Sequence, residues 1–185
     1  MDISQVITAF GLAGSAGLNA YIPLLLVSVL GKLGVIHLNA PFDVLSNPLV
    51  MVALVVLLVI EVAVDKVPGA DHVNDVVQTL VRPAAGAILF AGNSGAIGNM
   101  SPELSLALGL VMAFGVHAAK AAARPVVNAT TLGIGAPVIS VAEDVTSLVG
   151  SLLAIFLPLV FLIFVGVIAF LIYRVSDKFK RAFAK

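Results

Sequence analysis

The sequence predicts an all-α fold, a polytopic transmembrane helical bundle with six or seven membrane segments, some of them broken or re-entrant. Of its 185 residues, 61% are hydrophobic and 11% are charged, whereas soluble domains are about 45–50% apolar and about 25% charged. A transmembrane helix uses roughly 20 residues, so the length allows six or seven segments and leaves no room for a separate soluble domain. The lack of cysteine excludes disulfides and thiolate metal sites.

Six runs without Asp, Glu, Lys or Arg predict the membrane segments. They cover residues 3–31, 44–60, 83–102, 104–119, 125–142 and 145–173. In the first run, Gly11, Gly14 and Gly17 predict a short helix, a break and a second helix from about Asn19 to Val35. The same small residues permit close packing between helices, including contacts that would form a homo-oligomer.

The next two helices are predicted from their caps and periodicity. Asn47-Pro48 predicts a helix start, because an asparagine side chain can cap the first turn and a proline at the first helical position loses no needed hydrogen bond. This helix is expected to end at Asp65 or Lys66. Residues 70–82 form an amphipathic pattern, with Asp71, Asp75, Gln78 and Arg82 on one face. Pro83 is expected to interrupt this helix before a short apolar segment.

The rest of the chain predicts a helix from Ser101-Pro102 to near Ala123, a broken span, and one long last helix over about 145–173. Residues 47–98 and 101–173 resemble each other enough to suggest an internal duplication, parallel or, if 70–98 is a re-entrant hairpin, inverted. Residues 1–173 are thus one transmembrane domain. Residues 174–185 carry five bases and one acid, and the positive-inside rule places this basic tail in the cytoplasm.

Charged side chains on the membrane segments are the candidate functional residues, because each costs roughly 2.5–3.5 kcal/mol at a helix centre unless it is paired or hydrated. Two groups share helical faces, and we expect them to meet across a cavity as an ion or substrate pathway. They are Glu61, Asp65 and Lys66 on one helix, and His117, Lys120 and Arg124 on another. Supporting polar positions are Asn19, Asp71, Asp75, Arg82, Glu143 and Asp144.

An ordered set of motifs resembles a known family. Its members in this chain are Gly17-Leu18-Asn19-Ala20-Tyr21-Ile22-Pro23, Glu61-x3-Asp65-Lys66-Val67-Pro68, Asp71-x3-Asp75, Arg82-Pro83-x2-Gly86, His117-x2-Lys120-x3-Arg124 and Ser140-x2-Glu143-Asp144. This combination is similar to the bacterial integral-membrane domain of unknown function 4126 family. The resemblance implies a multi-pass protein of the bacterial inner membrane and implies no activity.

The residues leave three functions open. The first is a transporter or channel for a small ion or polar solute, with Glu61 and Asp65 binding a cation or carrying protons. The second is a phosphorylated-lipid flippase or lipid-modifying membrane enzyme, in which Lys66, Arg82, Lys120 and Arg124 hold a phosphate and Asp71 and Asp75 hold a metal. The third is a structural assembly protein. The chain shows no activated serine and no paired acidic phosphotransferase motif, so a non-enzymatic role is favoured, with no cofactor and no nucleic-acid partner.

Overall fold

The computed structural model describes residues 3–38, 40–64, 70–93, 100–131 and 135–183. Within these ranges the chain forms seven α-helices and one 3₁₀ helix and contains no strand, which confirms the predicted all-helical fold. The helices are α1 (Ile3–Leu18), α2 (Tyr21–Lys32), the 3₁₀ helix (Phe42–Ser46), α3 (Pro48–Val64), α4 (Ala70–Asn93), α5 (Pro102–Thr131), α6 (Gly135–Phe156) and α7 (Pro158–Phe183).

Three of these helices are long and apolar enough to cross a membrane on their own: Pro102–Pro125, Pro137–Phe156 and Pro158–Val175. Helices α1, α2 and α3 are apolar but shorter. The chain is therefore a helical membrane protein, whereas the number of six or seven crossings stays a prediction.

Helix α1 lies at the centre of the bundle and packs against α4, α5, α6 and α7. Its small residues allow this packing. A Cβ atom at Gly17 would lie 2.5 Å from the Ala113 carbonyl oxygen of α5, and one at Gly11 would lie 2.5 Å from the Ala154 Cβ of α6. The glycines thus serve close helix contacts within one chain, as the sequence suggested, and a role in forming a homo-oligomer stays a prediction.

Helices α4 and α5 cross at a second close contact and are continuous through their prolines. Gly86 packs against Gly109 and Ala113, with a Cβ at Gly86 only 2.7 Å from the Gly109 carbonyl oxygen. Pro83 and Pro125 lie inside α4 and α5, so the predicted interruption at Pro83 and the predicted helix end near Ala123 are both wrong. Each proline removes one backbone hydrogen bond, and the extensive packing of α4 on α1 and α5 holds that helix together.

The long last helix predicted over 145–173 is also wrong, because Leu157-Pro158 divides it into α6 and α7. Phe164 lies near Gly150, 3.6 Å from where a Cβ would be, although a straight helix would separate these residues by about 21 Å. Helix α7 therefore folds back along α6. Pro158 has no N–H to offer the Ala154 carbonyl, and the Thr8 hydroxyl of α1 donates to that oxygen instead at 2.6 Å.

Helices α1 and α2 form a helical hairpin. The sequence offered a hairpin only as an alternative for residues 70–98, where the structure has the single helix α4 as far as Asn93. The far half of α2 returns to the end of the bundle where α1 began, because the Ser28 hydroxyl donates to the Leu45 carbonyl and Phe42 packs on Gly92 at the end of α4. Phe90 of α4 in turn stacks edge-on against Phe10 of α1. The hairpin's tip, residues 18–20, consequently lies inside the bundle.

Candidate functional site

The tip of the α1–α2 hairpin is the centre of the candidate site, because both helix ends expose backbone groups there. Helix α1 ends with its last carbonyls unpaired within the helix, and a helix C-terminus carries partial negative charge. Two cations approach these carbonyls: Lys120 Nζ donates to the Leu18 oxygen at 3.1 Å, and Arg82 Nη1 lies 3.5 Å from the Gly17 oxygen. Cations and the helix end therefore stabilise each other.

Asn19 organises the start of α2. Its Oδ1 accepts hydrogen bonds from the backbone N–H groups of Tyr21 and Ile22 at 3.0 and 3.1 Å, which is the role of a helix cap. Its Nδ2 donates to Asp144 Oδ1 of α6 at 2.9 Å. The Ser147 hydroxyl donates to the Ser15 carbonyl at 2.9 Å, so α6 holds both sides of the tip.

Glu61 and Arg82 form a buried ion pair beside the tip. Arg82 Nη2 lies 2.9 Å from Glu61 Oε1, and the two side chains are 0% and 1% exposed. An ionised group of this kind is not stable alone in an apolar interior, so each partner requires the other. The pair joins α3 to α4.

His117 of α5 extends this pair. Arg82 Nη1 lies 3.3 Å from His117 Nδ1, and because a guanidinium only donates, this contact matches a ring whose Nδ1 is unprotonated and accepts. In that neutral tautomer the proton is on Nε2, which lies 3.1 Å from the Thr79 hydroxyl. Glu61, Arg82, His117 and Thr79 thus form one hydrogen-bonded chain across α3, α4 and α5.

A second ion cluster lies one helical turn further along α5. Lys120 Nζ is 2.7 Å from Glu143 Oε2 of α6, and Arg124 Nη2 is 3.4 Å from the same oxygen. Lys120 is almost fully buried, at 3% side-chain exposure, while Arg124 and Glu143 are slightly more open. The cluster ties α5 to α6 and, through the Leu18 carbonyl, to the hairpin tip.

The two clusters together carry more positive than negative groups. Their ionised members are two acids, Glu61 and Glu143, and three bases, Arg82, Lys120 and Arg124. A proton on His117 Nδ1 would add a further positive charge to this low-dielectric site and would place an N–H group against the Arg82 guanidinium. The charge of His117 is therefore coupled to the Glu61–Arg82 pair.

Two buried polar atoms in the site have no hydrogen-bond partner among the described residues: Arg82 Nε and Gln78 Oε1. Gln78 is 2% exposed and Arg82 is fully buried. More than about 90% of buried polar groups in proteins are paired with protein or water. These two atoms therefore mark a place where water or a polar solute would be stabilised.

The structure brings together most of the predicted site residues, but the helices that carry them pack differently from the prediction. The helices of Glu61 and His117 were expected to pack face to face; instead, within the described ranges, α3 packs on α2 and α4, and Arg82 of α4 bridges to α5. Arg82 was predicted only as a supporting residue and lies at the centre. Lys120 and Arg124 pair with Glu143 of α6.

Some predicted residues lie outside the described part of the chain. Asp65 and Lys66 do so entirely, and for Asp71 and Asp75 only the helical backbone is described. Thr79 was not predicted, although its position three residues before Arg82 on the polar face of α4 could have signalled it. Among the described residues, no group of three or more His, Asp or Glu side chains is placed to hold a metal ion.

A groove of about 480 Å³ lies between α1, α5, α6 and α7, and Lys120 is among the residues that line it. Its walls are mostly apolar, and Lys120 and Glu143 supply its charged groups. The groove opens sideways between α5 and α7, where Ala119, Ala123 and Val165 are exposed.

The comparison with protein families agrees with the motifs that lie in this site. The model of a domain of unknown function, DUF4126, matches residues 6–178. The chain belongs to the DUF4126 family. No curated protein and no solved structure matches it. The DUF4126 match includes at least part of each of the seven described helices, and both ion clusters lie inside it.

Proposed function

We propose that this DUF4126 protein is a multi-pass membrane transporter or channel for a small ion or polar solute, coupled to protons, with its binding site at the α1–α2 hairpin tip. The single observation that carries the proposal is a helical hairpin that ends inside a membrane bundle among buried charged residues. In the proposed orientation the protein lies in the bacterial inner membrane with its basic tail in the cytoplasm, as the positive-inside rule indicates.

Helix lengths support this assignment. Helices of 16 and 12 residues, the lengths of α1 and α2, measure about 24 and 18 Å, which is less than the roughly 30 Å of a bilayer's hydrocarbon core. Secondary transporters commonly bind substrates where such half-helices end near the membrane midplane, because helix ends and unwound carbonyls stabilise ions there. The tip of the α1–α2 hairpin likewise presents two helix ends and backbone carbonyl groups.

His117 supplies the proposed coupling to protons. Histidine changes charge between about pH 5 and pH 8 in its unperturbed state, and this ring accepts a hydrogen bond from Arg82. Protonation at Nδ1 would break that bond and weaken the hold of Arg82 on Glu61. Glu61 would then be available to a cation or to the proton itself.

The other two functions remain less well supported. A lipid phosphate held by Arg82 would have to displace Glu61 from a pair that is fully buried. A purely structural protein would gain little from a buried ionic cluster, since apolar residues of similar volume often stabilise as well or better.

The test is proton flux into vesicles that contain the purified protein. An internal pH-sensitive dye would record flux after a pH jump, in the presence of sodium, potassium or chloride gradients. Glu61→Gln, which keeps the shape but removes the charge, is expected to reduce flux to that of protein-free vesicles. Glu103→Gln is the matched control, because Glu103 lies exposed at the start of α5. Full flux in Glu61→Gln would defeat the site assignment.

A further inference from the structure

The groove between α1, α5, α6 and α7 has a shape that suits one hydrocarbon chain. Along α5 it extends from Met112 to Ala123, which is about 16 Å. Met112, Gly150 and Phe161 line the part nearer the start of α5, and Lys120 and Glu143 line the part further along α5. Its volume of about 480 Å³ is within the roughly 300–1,000 Å³ of ordinary small-molecule sites.

The charged end of the groove offers one unused donor and one unused acceptor. The Lys120 ammonium has three N–H groups, and its partners in the described residues are Glu143 Oε2 and the Leu18 carbonyl. Both bases that approach Glu143 lie on its Oε2, so among the described residues Oε1 has no ion-pair partner and can accept a hydrogen bond. A ligand head that matches this end carries an anionic oxygen and a cationic N–H side by side.

We propose that the groove binds a zwitterionic phospholipid with a primary ammonium head, of the phosphatidylethanolamine type. One acyl chain lies in the groove, the phosphate accepts from Lys120, and the ammonium donates to Glu143. The chain enters from the bilayer through the side opening between α5 and α7. Neither Glu61 nor Arg82 lines this site, and binding there does not depend on the proposed transport.

The sequence allows a clean fluorescence test, because it contains no tryptophan. Ile172→Trp places a reporter at the charged end of the groove, and Ile163→Trp places one on the same helix away from the groove; both positions are more than 60% exposed. The protein is reconstituted in phosphatidylcholine vesicles that contain a small fraction of one lipid with brominated, fluorescence-quenching chains. Brominated phosphatidylethanolamine, phosphatidylcholine and phosphatidylglycerol are compared.

Brominated phosphatidylethanolamine is expected to quench the residue-172 reporter more than its fraction of the bilayer lipid would. The excess should correspond to roughly a tenfold preference for phosphatidylethanolamine over phosphatidylcholine, which is about what one charged hydrogen bond supplies. The residue-163 reporter is expected to follow bulk composition for all three lipids. Equal quenching by phosphatidylcholine, whose head has no N–H, or stronger quenching by anionic phosphatidylglycerol would overturn the proposal.

Two matched variants test the groove itself. Ala119→Phe fills it from an exposed wall position, and Ala118→Phe adds the same ring one residue away, at an exposed position that does not line the groove. Only Ala119→Phe is expected to abolish the preference at residue 172, while Glu143→Gln lowers it by removing the carboxylate that pairs with the ammonium. A preference that survives Ala119→Phe would place the lipid elsewhere and overturn the proposal. Proton flux in Ala119→Phe is expected to persist, which separates this site from the transport site.

Discussion

The side chains around the hairpin tip are held by mutual neutralisation. Glu61 and Arg82 are both buried and 2.9 Å apart, so the desolvation of each is offset only while the other is present. The sequence identified Glu61, His117 and Lys120 because charges are conspicuous in apolar helices. It could not show that Arg82 would join the two groups, since that depends on how α4 packs between its neighbours.

Removing one partner of the pair is expected to cost far more than removing both. Arg82→Met leaves Glu61 charged and buried, and we expect a loss of about 3–5 kcal/mol in the free energy of unfolding. The double variant Glu61→Leu with Arg82→Met leaves no charge and is expected to recover most of that loss. Denaturant unfolding in detergent measures both. Equal losses in the single and double variants would show that the two side chains do not act as a pair.

His117 is expected to control how flux depends on pH. His117→Gln keeps an amide near Arg82 and Thr79 but has no group that titrates near neutral pH. We therefore expect the wild-type flux to change between about pH 5 and pH 8 and the His117→Gln flux to be flat over that interval. The measurement is the vesicle assay at a series of matched internal and external pH values. An unchanged pH profile would assign the titration to another group.

At the scale of helices, three of the discrepancies between sequence and structure concern proline. The sequence predicted breaks near Pro83 and Pro125, which lie inside continuous helices, and it predicted a continuous helix through Pro158, where the structure divides α6 from α7. Local sequence does not show whether a helix continues through a proline or ends there. Each proline leaves one backbone carbonyl without its helical N–H partner, and the packing of the neighbouring helices determines which of the two structures forms. At Pro158, the Ala154 carbonyl that lacks a helical N–H partner accepts a hydrogen bond from the Thr8 hydroxyl.

That hydrogen bond gives a direct test of the turn between α6 and α7. Thr8→Val keeps the side-chain shape and removes the donor, so the Ala154 carbonyl loses its partner, with an expected cost of about 1–3 kcal/mol. Thr8→Ser restores a hydroxyl and is expected to retain most of the stability. Thermal unfolding in detergent compares them. A stable Thr8→Val protein would mean that the turn is held by packing alone.

The crossing of α4 and α5 predicts opposite outcomes for two glycines. A methyl group at Gly86 would meet Ala113 and the Gly109 carbonyl, so Gly86→Ala is expected to destabilise by about 1–3 kcal/mol through overpacking. Gly115 has nothing within 4 Å of an added Cβ, and Gly115→Ala is expected to be neutral or to stabilise by up to about 1 kcal/mol through helix propensity. Unfolding measurements on both variants would decide whether close approach is required. Similar tolerance at both sites would argue that the helices can move apart.

At the scale of the molecule, composition was sufficient to predict a helical membrane protein, because 11% charge cannot cover a water-exposed surface. Hydropathy could not predict the path of the chain. A 12-residue apolar helix looks like part of a crossing, and only its return to the 3₁₀ helix shows that α1 and α2 form a hairpin. The seven helices then alternate in direction, so that the 3₁₀ helix and the end of α7 lie at opposite ends of the bundle.

This arrangement predicts which positions face opposite sides of the membrane. The chain has no native cysteine, so Asp43→Cys in the exposed 3₁₀ helix and Lys178→Cys in the basic tail can each be labelled alone, and the unmodified chain measures the background. In intact cells, an impermeant maleimide is expected to label residue 43 and to reach residue 178 only after the inner membrane is opened, because the tail's net positive charge favours the cytoplasm. Labelling of both from outside would place the two ends of the bundle on one side and would contradict the odd number of crossings expected of helices α3 to α7 between these two residues.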